Sequence, residues 1–201
     1  MIAEKDYVTE REEVLLPEGL RRSDFKKLTN LSKDTLKEAY KASLMLKLLF
    51  PRLGQRDPNL TGGLSETIIA LHHDWWIQSG NIPNASGSFD LFDYKRGKRI
   101  QAKASGTETY APHSFKAKNG EAWELHDEWD ELHFMDMSRC DWTADLYLIP
   151  DECIDNAQTS SIADTFEERR LSGLETKISF MNKVIKPNNL KPYGVIDIKN
   201  L

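Results

Sequence analysis

Alternating side chains between residues 88 and 105 restrict the fold of this chain more than any other feature of its sequence. In KRIQAKAS (98–105) apolar residues alternate with polar ones, which is the two-residue period of a β-strand. The run SFDLFDYK (88–95) precedes it, and Arg-Gly (96–97) separates the two. A glycine-containing turn between two such runs is typical of a β-hairpin. The pattern therefore predicts two antiparallel strands joined by a two-residue turn.

Helical periodicity dominates the chain before this hairpin. A four-residue repeat predicts a helix that ends near Pro51, and a second helix is predicted over 64–78. The repeat consists of Leu36, Tyr40, Leu44 and Leu48. After the hairpin, the sequence predicts a helix over 162–171 and strands over 131–137, 144–150 and 194–198. Helices followed by strands indicate an α/β or α+β fold, with a central mixed or antiparallel sheet flanked by helices.

The length and charge of the chain limit its function. Its 201 residues suit one domain, 1–201. A net charge of −5 argues against a protein that coats DNA through bulk positive charge, but it permits local basic patches and a metal-binding site. The N-terminal MIAEKDYVTEREE is acidic, and no apolar run reaches the roughly 18–20 residues of a membrane span. We therefore expect a cytoplasmic protein in which Cys140 and Cys153 are reduced thiols.

The predicted hairpin brings three chemically useful side chains together. Gln101 and Lys103 point to one face of their strand, and Asp90 lies on the partner strand, eleven residues before Gln101. Hydrolysis of a phosphodiester needs such groups, because Mg²⁺ prefers hard oxygen ligands. The Asp90 carboxylate, the Gln101 amide oxygen and the Ala102 backbone carbonyl are candidate ligands. Lys103 is the candidate to hold the attacking water and to stabilise charge in the transition state.

This arrangement resembles the D-x(n)-(D/E/Q)-x-K signature of the PD-(D/E)xK nucleases, and most closely the PvuII-like active-site hairpin of type II restriction endonucleases. Asp90 and Asp93 form D-x-x-D, and Lys103-Ala104-Ser105 follows the turn. The segments DLYLIPDE, KISF and VIKPNNLKP also resemble the C-terminal half of small restriction enzymes, so the resemblance covers 62–196. Phe89 replaces a proline, and Gln101 replaces the usual acid, which predicts weaker metal binding.

The resemblance implies a fold, an activity and partners. It implies a PD-(D/E)xK restriction-endonuclease-like fold with its catalytic core over 62–196, and Mg²⁺-dependent, sequence-specific cleavage of double-stranded DNA. Because palindromic sites match two-fold symmetry, it also implies a homodimer. The helical part, 1–60, with its leucine stripe is the expected dimerisation region. A cognate DNA methyltransferase that protects a prokaryotic host at the same site is the expected functional partner.

Glu66 and Asp93 are the remaining acids near this site in the sequence. In the family that the chain resembles, an acid on the preceding helix often completes the metal site, and Glu66 has that position. The alternative is a surface glutamate favoured by the helix dipole. Asp93 is three residues beyond Asp90, so on a regular strand it faces the other way, and we expect it to be structural.

The segment SGTETYAPHSFKAKNGE (105–121) leaves the catalytic strand directly and is the expected DNA-binding loop. It is rich in side chains that donate to phosphates and base edges, and long loops in compact domains often carry function. The alternative is a flexible surface loop. The candidate contacts are Tyr110, His113, Ser114, Lys116, Lys118 and Asn119.

Three alternatives to a restriction enzyme stay open at this point. The chain could be a repair or junction-resolving nuclease of the same superfamily, although such enzymes usually carry more basic surface than −5 suggests. It could be a non-catalytic DNA-binding or scaffold domain in which Gln101 marks a decayed site. The hairpin could also be an ordinary one whose polar face is merely solvated.

Overall fold

A computed structural model describes residues 16–28, 33–52, 61–78, 88–106, 110–115, 120–159 and 164–201. Its helices are α1 (Lys33–Arg52), α2 (Thr61–His73), α3 (Leu125–Glu128), α4 (Asp151–Asp155) and α5 (Phe166–Leu171). Its strands are β1 (Phe25–Lys26), β2 (Trp76–Gln78), β3 (Leu91–Asp93), β4 (Lys98–Ser105), β5 (His113–Phe115), β6 (Glu131–Asp136), β7 (Thr143–Ile149), β8 (Thr176–Ile178) and β9 (Gly194–Asp197). A 3₁₀-helix (Arg22–Asp24) precedes β1, and a π-helix (Phe180–Ile185) follows β8.

A mixed sheet of seven strands forms the centre of the molecule, in the order β1-β2-β3-β4-β6-β7-β9. Neighbouring strands are antiparallel except β4 and β6, which pair in parallel from Ile100↔Glu131 to Ser105↔Asp136. Strands β5 and β8 form a separate antiparallel pair. The predicted α+β class with a mixed central sheet is confirmed.

Alternation along the strands divides the core between the two faces of this sheet. Ile100, Ala102 and Ala104 of β4 pack in one buried cluster with residues of α1 and α2. The opposite face carries Gln101 and Lys103. There a second cluster unites the sheet with β5, β8, the short helices and the π-helix. The helical layer and the polar residues of β4 therefore lie on different faces of the sheet.

The hairpin forms as predicted, but its turn is longer than two residues. Strand β4 has the predicted bounds, whereas β3 ends at Asp93 and residues 94–97 form the turn. The Asp93 carboxylate accepts hydrogen bonds from the backbone N–H groups of Lys95 (3.1 Å) and Arg96 (3.2 Å). Gly97 closes the turn at φ 66°. The two-residue turn was wrong because Asp93 caps a four-residue one, which is the structural role expected for this acid.

The second predicted helix ends five residues early. Helix α2 stops at His73, Asp74 adopts φ 59°, and the Trp75 N–H donates to the Ala70 carbonyl (2.9 Å). Residues 76–78 form β2 instead, in which Trp76 is fully buried. The prediction over 64–78 was wrong at its end because pairing with β3 buries Trp76 and overrides the helical pattern.

The leucine stripe of α1 belongs partly to the core of this chain. Leu36 and Tyr40 are buried against α2 and the sheet, and Leu44 packs beside them. The side chain of Leu48 is outside the described residues. An interface on this helix therefore cannot use Leu36 or Tyr40, whereas Met45 (61% exposed) and Leu49 (48%) remain at the surface.

The later elements follow the sequence pattern closely. Strands β6, β7 and β9 confirm the three strands predicted after the hairpin. Helix α5 begins at Phe166, later than the predicted 162, and residues 160–163 are outside the described part. Among the described residues, no helix is long and apolar enough to cross a membrane.

Candidate active site

Asp90 is fixed between three strands. Its N–H donates to the Ile100 carbonyl (3.0 Å), and its own carbonyl accepts from the Gln78 N–H (3.0 Å). Its carboxylate accepts hydrogen bonds from the Ala102 N–H (3.0 Å) and from Gln101 Nε2. Burial raises the pKa of Asp90, while the charge of Lys103 and the Ala102 N–H act in the opposite direction. The hairpin thus places the Asp90 carboxylate against Gln101, as the spacing predicts.

Gln101 is buried at 2% exposure and faces Asp90 with its amide nitrogen. The same nitrogen makes a long contact of 3.4 Å with the carbonyl oxygen of Ala102. The three candidate ligand groups therefore lie side by side. Rotation of the amide by half a turn exchanges its oxygen and nitrogen, so that the oxygen takes the place beside Asp90.

Lys103 lies on the same face as Gln101, with its ammonium 5.5 Å from the centroid of the Phe115 ring. Such a position over an aromatic face favours a cation. Phe115 is itself held by edge contacts with Phe166 (5.1 Å) and by Trp129 (5.7 Å). The aromatic layer behind the lysine therefore limits where the ammonium can lie.

Glu66, near the start of α2, completes the group. Burial and the neighbouring Asp90 raise the pKa of Glu66 to about 7, and Lys103 opposes that rise. These electrostatic interactions show that the fold brings Glu66 to Asp90 and Lys103, although they are 24 and 37 residues apart in sequence. All four predicted catalytic side chains are thus assembled in one place.

The donor set of this group fits a hard divalent cation. It offers the carboxylates of Asp90 and Glu66, both with a raised pKa, together with amide and backbone oxygens. A cation between two partly buried carboxyls favours their ionised forms, and oxygen ligands suit Mg²⁺. Within the described residues, no group of three or more His, Cys, Asp and Glu side chains forms a metal site.

The predicted DNA-binding residues occupy different environments. The Tyr110 hydroxyl bonds to Asp136 (3.2 Å) and Ser138 (3.0 Å) at the carboxyl end of β6. The His113 ring packs on Phe180 (5.6 Å), where burial and Lys103 lower the pKa of His113 to about 4. Ser114 is exposed on β5. The other three predicted contacts, Lys116, Lys118 and Asn119, are outside the described residues.

Comparison with known protein families identifies the chain. The model of the Bsp6I restriction endonuclease family matches residues 28–187, which include the helices α1 to α5, the strands β2 to β8 and the π-helix. The chain belongs to the Bsp6I restriction endonuclease family. No curated protein matches it. Membership of this family implies a nuclease that acts on DNA, and it supports a restriction endonuclease of type II.

This family member also has a polar cluster that sequence reasoning missed, on the α2 side of the sheet. A cleft of about 350 Å³ is lined there by His73, Trp75, Asp93, Arg96, Glu131, His133, Leu148 and Tyr193. The Tyr193 hydroxyl bonds to His133 Nδ1 (2.9 Å) and His73 Nε2 (3.0 Å). Only the fold brings these groups together, since 120 residues separate His73 from Tyr193.

Bonding within this cluster fixes its histidine tautomers. His133 Nε2 lies 3.2 Å from the Glu131 carboxylate, which can only accept, so this nitrogen carries a proton. In neutral His133, Nδ1 therefore accepts from the Tyr193 hydroxyl, and His73 Nε2–H donates to the Tyr193 oxygen. Arg96 bonds to both oxygens of Glu131 (2.8 and 3.0 Å) and also to Asp93. The cluster ties α2, the hairpin turn and β6 together.

Proposed function

We propose that this chain is a type II restriction endonuclease of the PD-(D/E)xK class, which hydrolyses double-stranded DNA at a specific sequence with Mg²⁺. The observation that carries this proposal is the contact of Asp90 with Gln101, next to Lys103, in a chain of a restriction endonuclease family. Glu66 strengthens it, because this second carboxyl, partly buried like the first, interacts electrostatically with Asp90.

In this proposal the ligands of Mg²⁺ are Asp90, the Gln101 amide oxygen and the Ala102 carbonyl, with Glu66 as the second acid of the site. Bound Mg²⁺ supplies Lewis acidity toward the phosphate and its water. The Gln101 amide turns its oxygen inward, and Asp90 stays in place through its three backbone contacts. Lys103 donates to the attacking water and stabilises the negative charge that develops on the phosphate. The Phe115 ring keeps its ammonium on this face.

The proposal includes a dimer and a protective partner. One such site cuts one strand, so cleavage of both strands of a palindromic site calls for two copies related by two-fold symmetry. A DNA methyltransferase that modifies the same site would protect host DNA from this enzyme. Residues 105–121, of which 113–115 form β5, follow β4 directly, and this segment is the proposed source of sequence-specific contacts.

Digestion of plasmid and phage DNA, with Mg²⁺ and then with EDTA, tests the proposal. Discrete fragments that require the metal are the expected result. A smear, or cutting confined to branched DNA, would indicate a repair or junction-resolving nuclease instead. No cutting with either Mg²⁺ or Mn²⁺ would indicate a non-catalytic DNA-binding domain. Digestion of DNA of known sequence would also give the recognition site and the position of the cut.

A further inference from the structure

One C-terminal segment of this acidic chain carries several lysines and no acidic residue. Residues 176–196 contain four lysines and no aspartate or glutamate, although the whole chain has a net charge of −5. The segment includes β8, the π-helix and the turns that lead to β9. A local excess of positive charge in an acidic protein marks a surface suited to an anionic partner.

The π-helix in this segment has one apolar and one polar side. Phe180, Met181, Val184 and Ile185 are buried. The Phe180 ring stacks on Phe134 at 5.3 Å, and Phe134 pairs with Lys103 in the parallel register of β4 and β6. The apolar side of the π-helix therefore lies on the face of the sheet that carries Lys103. Its outer face consists of Asn182 and Lys183 together with Lys186, the residue that directly follows the π-helix; Asn182 and Lys186 are exposed, and Lys183 is partly exposed.

Backbone hydrogen bonds and a ring contact hold this outer face next to the end of the catalytic strand. The N–H of Lys186 donates to the Met181 carbonyl (3.0 Å), which is the spacing of a π-helix. The Lys186 ammonium lies 5.2 Å from the centroid of the Tyr110 ring. The Tyr110 carbonyl in turn accepts from the Ser179 hydroxyl (2.8 Å). The segment that leaves β4 and the start of the π-helix are thus bonded to each other.

Lys183 and Lys186 differ in their ion pairs from Lys177 of the same segment, which lies 3.7 Å from Glu175, and from the arginines of the chain. Among the described residues, no carboxylate lies within ion-pair distance of Lys183 or Lys186. Several arginines, by contrast, each bind a carboxylate: Arg96, Arg99, Arg139, Arg169 and Arg170. The charges of the two lysines therefore remain available to an external anion.

We propose that the outer face of the π-helix binds the phosphate backbone of the DNA duplex when Lys103 faces the scissile phosphate. This inference rests on the proposed function. The positive charges of Lys183 and Lys186 complement the negative charges of the phosphates, which favours a DNA duplex as the partner. Lysine donates as a compact point charge without selecting a base. The outer face would therefore supply affinity and position the duplex, and the loop over 105–121 would supply its sequence specificity.

The salt dependence of DNA binding tests this proposal. Binding of a short duplex of mixed sequence is measured in EDTA, by fluorescence anisotropy, from about 50 to 200 mM salt. The parent is compared with a Lys183→Ala/Lys186→Ala variant and with Lys199→Ala, which removes an exposed lysine at the far edge of the sheet. Each phosphate contact contributes about 0.9 to the slope of log K against log salt. We therefore expect the slope to fall by about 1.8 in the double variant and to stay unchanged in Lys199→Ala.

The outcomes separate this proposal from the function on which it rests. A double variant with the slope of the parent, or an equal decrease in Lys199→Ala, overturns the DNA-binding role of the π-helix while parental cleavage still supports the nuclease. A parent that neither binds nor cuts DNA overturns both. A Lys183→Arg/Lys186→Arg variant keeps both positive charges. If its slope of log K against log salt equals that of the parent, the result supports a role of charge. Unchanged thermal unfolding of the double variant excludes a loss of structure.

Discussion

At the scale of single residues, Gln101 gives the site a group that a carboxylate cannot provide. Its amide nitrogen donates to Asp90 in a buried environment. A glutamate in its place would add a third buried acid next to two whose pKa values are already raised. Gln101 therefore stabilises the metal-free protein, and the weaker metal binding predicted for an amide is its cost.

The Gln101→Glu variant tests whether this amide stabilises the metal-free protein and weakens metal binding. In EDTA near neutral pH, Gln101→Glu should lower the free energy of unfolding by about 1–3 kcal/mol, because it removes a buried hydrogen-bond donor. Mg²⁺ should then raise its melting temperature more than that of the parent, and cleavage should persist or change its metal preference. Gln158→Glu, an exposed change of equal charge, is the control. If Mg²⁺ does not change the melting temperature of Gln101→Glu, Gln101 has only a structural role.

The raised pKa of Glu66 predicts how stability depends on pH without metal. The pKa of Glu66 is about 7 in the folded chain, above its ordinary value of 4.5. The folded protein therefore retains a proton that the unfolded chain loses, so this contribution is full below about pH 4.5 and disappears as the pH rises through about 7. Denaturant titrations from pH 4 to 8 in EDTA should show the parent losing stability relative to Glu66→Gln over this window. The comparison is needed because His73 and His113, whose pKa is lowered to about 4, raise the stability of both proteins as the pH rises from about 4 to 6.5.

Glu66→Gln should lack this relative loss, and the exposed Glu152→Gln should follow the parent. Asp90, with a raised pKa, and His73 and His113, with a lowered pKa, contribute a slope that the parent and both variants share. Parallel stability curves for the parent and Glu66→Gln would show that Glu66 does not titrate beside Asp90, and they would remove it from the site.

At the scale of elements, the sequence patterns predicted which segments form strands. They predicted less well where elements end and which strands pair with each other. The alternation in 98–105 gave β4 its observed bounds, because both faces of that strand are specified by side chains. The end of α2 depended on the burial of Trp76, which no local pattern reveals. The β5–β8 pair and the parallel β4–β6 pairing join segments far apart in sequence, so only tertiary packing defines them.

The connection between α5 and β8 contains Gly173, and a substitution there tests how closely the backbone packs. Gly173 adopts φ 65°, and a Cβ atom there would overlap the backbone of Gly120. Gly173→Ala should therefore reduce the free energy of unfolding by more than about 1 kcal/mol, measured by chemical denaturation. Gly194→Ala is the matched control, since its added methyl meets open space. Equal stability of the two variants would show that this close approach is absent in solution.

At the scale of the whole molecule, the two faces of the central sheet carry different layers, and Glu66 of α2 is the predicted catalytic residue that comes from the helical layer. Helices α1 and α2 cover one face, while Gln101, Lys103 and the π-helix share the other. The sequence predicted Asp90, Gln101, Lys103 and Glu66 as one group, and the fold does bring them together. It did not predict the aromatic layer behind Lys103 or the His73–Tyr193–His133 cluster, because their members come from distant segments.

The central claim is that Lys103 and its neighbours hydrolyse DNA, and cleavage by Lys103→Ala tests it most directly. Rates of plasmid cutting with Mg²⁺ are measured beside duplex binding, with the parent and the exposed Lys98→Ala of the same strand as controls. The account predicts that Lys103→Ala abolishes cutting and retains binding, because the ammonium acts on the reacting phosphate. Near-parental cutting by Lys103→Ala would contradict the assignment of the active site.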